Sequence, residues 1–268
     1  MANPMYRQIA EDLRHRIESG EYAPDQQLPT ELVLRERYNA SRNTIRDAIK
    51  WLTTLRLVET RPGQGTFVVR KIDPFVTELS GDPTSGRGGD EGASYLSEIA
   101  DRNRTPTCSP VQVEIQQASE KIAAILRIAA HSEVIGRHQR RFIDGTPWSM
   151  QTSYYPMHLA DRGAERLWSP RDIGEGTVRY LADTLRIRQV GYRDWITVRT
   201  PNAAEADFFK LPADARVPVF EVFRTAYDEN CSPMRLTITV FPADRNQFTI
   251  SVGAVPGSVP GPGSGDGG

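Results

Sequence analysis

Arg42, Asn43, Arg46 and Lys50 fall on one side of a helix-like run whose other side carries Ile45, Ala48, Ile49, Leu52 and Leu55. This is a spacing at which polar groups could do chemistry. A guanidinium can bond bidentately to guanine O6 and N7, and an Asn amide to adenine N6 and N7. Such a pair discriminates bases by about 1–3 kcal/mol. Ser41 stands where a helix N-cap is needed. The Ser41 and Thr44 hydroxyls suit phosphate oxygens, as does the helix N-terminus itself. A solvated basic face has the same pattern, so this helix alone does not decide.

The elements around it must position those side chains. Tyr6, Ile9, Leu13 and Ile17 recur at steps of three and four and predict a first helix, stopped by Gly20. A short second helix follows Pro29, with Thr30 as its N-cap and Leu34 and Tyr38 on one face. Asn39-Ala40 makes a turn and Ser41 opens the third helix. The runs 57–60 and 66–69 flank Arg61-Pro62-Gly63-Gln64-Gly65, a glycine-rich hairpin signature. The order is that of a winged helix-turn-helix, in which the third helix enters the major groove. The wing tip, Gly63, Gln64 and Gly65, has little bulk to hold its backbone away from the minor groove or the sugar–phosphate edge.

Charge supports this reading. The 268-residue chain has a net charge of −1, yet residues 35–71 carry 9 basic and 3 acidic side chains. A basic block in a near-neutral chain suits an anionic partner, here double-stranded DNA. Composition excludes several classes. Cys108 and Cys231 fit no metal-ligand spacing, and neither a metal nor a cofactor is expected. His15, His131, His138 and His158 pair with no nucleophile set, and Gly86-Arg87-Gly88-Gly89 lacks the preceding strand of a phosphate loop. No enzymatic activity is expected. No apolar run approaches the roughly 18 residues of a membrane span, and a cytoplasmic protein is expected.

Pro4-Met5-Tyr6-Arg7-Gln8-Ile9-Ala10, Leu28-Pro29-Thr30-Glu31, Ser41-Arg42-Asn43-Thr44-Ile45-Arg46-Asp47-Ala48 and Gly63-Gln64-Gly65-Thr66-Phe67-Val68 together resemble the GntR superfamily of bacterial regulators. The resemblance covers residues 4–69. It implies DNA contacts from Ser41, Arg42, Asn43, Thr44, Arg46 and Gly63; Lys50, Gln64 and Gly65 join them from the reading of helix and wing. Family members often carry Arg directly after the Glu of the second helix. Here that position is Leu32, and Arg35, three residues on, is the candidate replacement.

Residues 73–93 are expected to be a flexible linker, Gly/Pro/Ser-rich over 80–93, and residues 253–268 a disordered tail; this leaves 1–72 and 94–252 as domains. In the second domain, 118–128 fits a helix with Ala118, Ile122, Ile125 and Leu126 on one side. Strands are predicted over 134–143 and 146–155, joined at Asp144-Gly145. Alternation sets Arg137, Gln139 and Arg141 on one face of the first. In the predicted last strand, Met234, Leu236, Ile238 and Val240 oppose Arg235, Thr237, Thr239 and Phe241. A polar, cation-bearing face fits a solvated sheet surface or a pocket wall.

Thr105-Pro106-Thr107, Arg141-Phe142-Ile143-Asp144-Gly145-Thr146-Pro147, Tyr154-Tyr155-Pro156 and Asp244-Arg245-Asn246-Gln247-Phe248 resemble the UTRA effector-binding domain of the HutC subfamily. The resemblance implies a chorismate-lyase-like α/β fold with an antiparallel sheet, hence an α+β chain. It also implies a small-molecule pocket formed by Ser94, Tyr95, Arg137, Gln139, Arg141, Gln151, Tyr154, Arg235, Thr237 and Phe241. Ser94 and Tyr95 lie where the family places a helix N-terminus on phosphate. Trp148, Tyr154 and Tyr180 read as pocket aromatics or as core. Sugar-phosphate sensors of this kind tend to have Arg-x-Arg where this chain has Gln139-x-Arg141, and Glu where it has Gln151 and Arg235. An anion remains compatible through Arg141 and Arg235, a carboxylate as readily as a phosphate. The implied function is a ligand-responsive regulator acting as a homodimer on a pseudo-palindromic operator. The alternatives are a DNA-binding protein whose second domain only dimerises and, from the lyase-like fold, an enzyme, against which the absence of a nucleophile set speaks.

Overall fold

The computed structural model describes residues 4–55, 57–69, 74–79, 82, 84, 99–100, 104–211 and 217–252. They divide into two units, Met1–Asp73 and Pro74–Gly268.

The first unit contains helices α1 (Met5–Glu18), α2 (Glu31–Tyr38) and α3 (Arg42–Thr54), then strands β1 (Val58–Arg61) and β2 (Gly65–Val68). The helix starts follow the sequence. Thr30 Oγ1 accepts from Val33 N (3.4 Å), and Ser41 Oγ accepts from Thr44 N (3.2 Å). Asn39 closes α2 in the left-handed conformation, φ +48°, which an Asn side chain tolerates. Ile9, Ala10 and Leu13 of α1, Leu34 of α2, and Ile45, Ala48 and Leu52 of α3 share one core with Val58 and Val68 of the wing. Leu55 departs from the expected core face: it is the exposed residue that ends α3.

In the second unit, β4 (Pro106–Cys108), β5 (Gln112–Gln117), β6 (Glu133–Ile143), β7 (Thr146–Pro156), β8 (Gln189–Arg199), β9 (Val219–Asp228) and β10 (Pro233–Pro242) build one seven-stranded antiparallel sheet. Its order is β4-β6-β7-β10-β9-β8, and β5 shares the β6 edge. Helices α4 (Glu120–Leu126) and α7 (Ala203–Phe209) cover one face through Leu126, Phe209, Leu236 and Val240. Helices α5 (His158–Asp161) and α6 (Thr177–Leu185), with a 3₁₀ turn at Glu165–Trp168, join Ile135, Tyr155 and Ala226 in a second apolar cluster. The β6–β7 turn has Asp144 at φ +50° and Gly145 at φ +72°, the paired positive φ angles of a two-residue hairpin. The Asp144 carboxylate also accepts from Thr105 N (2.8 Å), tying β4 to this turn.

Several boundaries differ from expectation. The helix predicted over 118–128 is shorter, because Ser119 caps it and Arg127, at φ +53°, ends it. Strand β10 is followed by β11 (Asn246–Thr249), so it is not the last. Residues 75–78, placed in the flexible linker by sequence, form β3 (Phe75–Glu78), which pairs in parallel with β11. Phe75 and Thr77 are buried there. Of 80–93, only Asp82 and Thr84 are among the described residues, and the tail 253–268 lies outside them.

Candidate nucleic-acid interface and effector site

On α3, Arg42, Asn43, Arg46 and Lys50 are all exposed, opposite the buried Ile45, Ala48 and Leu52. One acid organises two of them. Glu31, the first residue of α2, accepts from Arg46 Nε (2.9 Å, Oε1) and from Arg42 Nε (3.1 Å, Oε2). These bonds, that of Arg46 foremost, hold the Glu31 carboxyl below the usual carboxylate range. Ser41 is engaged as the cap, with its hydroxyl 2.8 Å from that of Thr44. Arg35 is exposed on α2.

A cleft of about 290 Å³ separates α3 from the wing, lined by Glu31, Arg46, Ile49, Lys50, Thr53, Thr60 and Thr66. The wing is anchored from outside the hairpin. Leu28 N donates to Thr66 O (2.8 Å), Val68 N donates to Gln26 O (2.9 Å), and the Gln27 amide donates to Gln64 O (2.7 Å). Gln27 was not singled out from sequence, and its partner lies 37 residues away. Glu31 was missed as a functional residue too; the signal for it, a carboxylate at the start of α2, is also what an ordinary helix start favours.

The wing glycines differ in role. Gly63, at φ +71°, has nothing within 4 Å of an added Cβ. Gly65, at φ +120°, would place one 2.3 Å from the Gln27 amide nitrogen. We expect Gly63→Ala to lower stability by about 1 kcal/mol, the backbone term alone. Gly65→Ala should cost about 1–3 kcal/mol, because it also displaces Gln27 from Gln64 O. Thermal unfolding of the two variants side by side checks this ordering.

In the second unit, the alternation of β6, β7 and β10 brings polar residues into register. Gln139 pairs with Gln151 and Gln151 with Thr239; Arg137 pairs with Ser153 and Ser153 with Thr237. This face is not solvated: Arg137, Gln139, Arg141, Ser149, Gln151, Ser153, Arg235, Thr237 and Thr239 are all buried. Ser153 Oγ lies 3.0 Å from Thr237 Oγ1, and Thr239 Oγ1 donates to Gln151 Oε1 (3.4 Å). Arg235 donates to Thr177 Oγ1 (3.1 Å) and Gln189 Oε1 (3.2 Å). Gln139, 7% exposed, gives one long bond to Ser109 O (3.4 Å), and its buried Oε1 has no hydrogen-bond partner among the described residues.

Three expected pocket residues are placed otherwise. Arg137 shares the polar face, but its guanidinium donates to the carbonyls of Arg166, Leu167, Ser169 and Arg171 (2.8–3.2 Å), fastening the 3₁₀ turn to the sheet. Tyr154 points to the opposite face, against Phe223, Leu236 and α4, because it is out of step with Gln151 and Ser153 in a two-residue repeat. The Phe241 ring packs edge-on against Phe248 of β11 (5.3 Å). Trp148, Tyr155 and Tyr180 are core. Ser94 and Tyr95 lie outside the described residues. The Asp244–Phe248 motif acts in folding: Arg245 donates to Pro147 O (3.0 Å) and, bidentately, to Asp244.

A winged helical head whose third helix exposes a basic face, followed in the same chain by an antiparallel-sheet domain, is the architecture of a DNA-binding transcriptional regulator. The chain belongs to the GntR family: residues 5–68 match the family model for bacterial regulatory proteins of the gntR family, and residues 101–247 match the UTRA domain, a small-molecule sensing domain. It is 26% identical over 246 residues to the transcriptional repressor NagR of Bacillus subtilis, covering 91% of this chain and 93% of that one. It is 24% identical over 259 residues to the HTH-type regulator YurK of the same organism, covering 93% and 96%. The crystal structure of PhnF from Mycobacterium smegmatis, 21% identical, shares the fold with a TM-score of 0.55 over 92% of this chain and all of that one. These relatives are named as regulators, which agrees with the non-enzymatic reading. Among the described residues no His/Cys/Asp/Glu group is placed to hold a metal, and no helix is long and apolar enough to cross a membrane.

Proposed function

We propose that this regulator is a repressor of the HutC type that binds a pseudo-palindromic operator as a homodimer and is released by a small anionic metabolite. Two reading helices related by a two-fold axis match two half-sites. Arg42, Asn43, Arg46 and Lys50 read bases; Thr44, Arg35 and the wing tip at Gly63 and Gln64 contact the backbone. The effector lies on the polar sheet face, against Gln139, Arg141, Gln151, Thr237 and Arg235. The observation that carries the effector half is the burial of that face, where Gln139 Oε1 lacks a partner among the described residues. A buried unpaired acceptor is costly, and a ligand hydroxyl or amine would satisfy it. Asp194 of β8, in register with Arg224 and through it with Thr237, is a carboxylate on this face and is bonded to Arg224; the other side chains named above are arginines, amides and hydroxyls. That chemistry suits an anion bearing hydrogen-bond donors. Ligand shifts the dimer toward a geometry that fits the half-sites poorly, which requires unequal affinity for the two states.

The test begins with thermal stabilisation by a panel of sugar phosphates and carboxylates. No shift with any of them favours the reading in which this domain only dimerises. With a stabilising ligand in hand, Gln139→Ala and Arg141→Ala should bind operator like wild type yet need about ten- to a hundredfold more ligand for release, the equivalent of one charged or buried hydrogen bond. Release at the wild-type concentration would place the effector elsewhere.

A further inference from the structure

Strand β3 is the first strand after the wing, and its place over the sheet follows from its partner β11. Phe248 of β11 packs edge-on against Phe220 of β9 (5.2 Å) and Phe241 of β10 (5.3 Å). Phe241 pairs with Phe220 and alternates in step with Thr237 and Thr239, so both rings rise from the polar sheet face. Phe248 therefore points onto that face. Thr77 is the register partner of Phe248. Register partners on neighbouring strands present their side chains to the same side, so Thr77 points onto the polar face as well. It is buried, 7% exposed. The two ends of β3 are fastened over the same face. At one end Phe75 packs edge-on against Trp148 of β7 (6.4 Å), and its register partner Asn246 donates to Trp148 O (3.5 Å). At the other end the Tyr192 hydroxyl of β8 donates to Leu79 O. Tyr192 shares the polar face with Asp194, and the Arg224 guanidinium stacks on its ring (3.9 Å). Strands β10 and β9 lie between β7 and β8. Thr77, midway between the two anchors, thus lies over the strands that carry Thr237, Thr239 and Arg224 on this face.

We propose that the β3–β11 ribbon roofs the effector site and that the Thr77 hydroxyl binds a hydroxyl group of a hydroxylated anion. This rests on the reading that the effector lies on the polar face, and it adds the wall opposite. Arg141 and Arg235 suit the anionic group. Thr77, Thr237 and Thr239, each a donor and an acceptor, suit the hydroxyls. A buried hydroxyl is costly without a polar partner, so the roof gains most when such a ligand is in place. The placement also bears on regulation. The chain enters the sensing unit from the head through β3, so a ligand held by Thr77 is held by the strand nearest in sequence to the wing.

The full-length chain tests this with two sets of probes, hexose phosphates and aldonates, which separate a phosphate from a carboxylate as the anionic group. Binding is measured by thermal shift and titration calorimetry, and the tightest probe is carried forward. Thr77→Val keeps the branched shape of the strand residue and removes the hydroxyl. It should melt like wild type without probe and bind the probe about two- to tenfold more weakly, the loss of one hydrogen bond. Thr77→Ser should restore wild-type affinity. Hydrogen exchange of the wild type needs no variant: the probe should slow the β3 amides more than those of β5. A probe weakened by Gln139→Ala but not by Thr77→Val, with β3 exchange unchanged, overturns the roof contact and leaves the effector site standing. Thr77→Ser binding as weakly as Thr77→Val shows packing in place of a hydrogen bond and also overturns the contact. No stabilisation by any probe, or a probe weakened by neither Gln139→Ala nor Thr77→Val, overturns both readings.

Discussion

Arg46→Ala should sharply weaken sequence-specific DNA binding and leave the first unit folded. The side chain is 55% exposed, and its Nε bonds Glu31, not any core group. An exposed ion pair contributes about 0–1 kcal/mol to folding, so the circular dichroism spectrum and melting should barely change. Binding should change much more, because a bidentate guanidinium–guanine contact discriminates by about 1–3 kcal/mol, roughly five- to 150-fold. Glu31→Gln is the informative companion. It keeps the side-chain shape but removes the carboxylate that accepts from both arginines, on the face proposed above to meet nucleic acid. Affinity for non-specific DNA should rise and the ratio of specific to non-specific binding should fall. Both effects are read by gel shift on a sequence that the wild type selects from a random pool, against a scrambled control at two salt concentrations. Sequence preference retained by Arg46→Ala would sink the assignment of α3 as the reading helix.

Arg224→Ala should unfold the second unit at a much lower temperature. The Arg224 side chain is 3% exposed, bidentate to Asp194 at 2.8 and 2.6 Å, and its guanidinium lies 3.9 Å from the Tyr192 ring centroid. Truncation leaves the Asp194 carboxylate buried without this partner, which costs about 3–5 kcal/mol. For a unit of this size that lowers Tm by about 6–20 °C. Replacing both members by apolar residues of similar volume, Arg224→Met with Asp194→Leu, should recover most of the loss, since a buried pair is about neutral against a packed apolar substitute. Calorimetry of the single and double variants decides; a single variant within 1 kcal/mol of wild type would show that the pair fastens nothing.

What could be read from the sequence was local. Thr30 and Ser41 cap the helices as their side-chain chemistry requires, and Asp144-Gly145 makes the hairpin because both residues accept positive φ. Alternation along β6 assigned faces correctly, but on β10 it misplaced Met234, which the bulge between Pro233 and Arg235 turns away from Leu236 to the side of Ile135, Tyr155 and Ala226. Alternation does not say what lies above a face. Arg137 looks like a ligand contact until the 3₁₀ turn, some thirty residues on, supplies its carbonyls. Tyr154 was placed in the pocket by the resemblance, yet in a two-residue repeat it is out of step with Gln151 and faces the other side. Glu31 and Gln27 act through partners 11 to 37 residues away. β3 was hidden in a linker because its partner strand lies near the far end of the described chain.

That pairing of Phe75–Glu78 with Asn246–Thr249 sets an order of events during synthesis. The first unit has its wing complete once Val68 is made. β3 must wait about 170 residues for β11, and at about 5–20 residues per second that is roughly 10–35 s on the ribosome. The sensing unit therefore also carries a closure of high sequence separation, of the sort that forms slowly. Each new molecule passes through an interval in which a finished reading head exists before the domain that would answer to a metabolite.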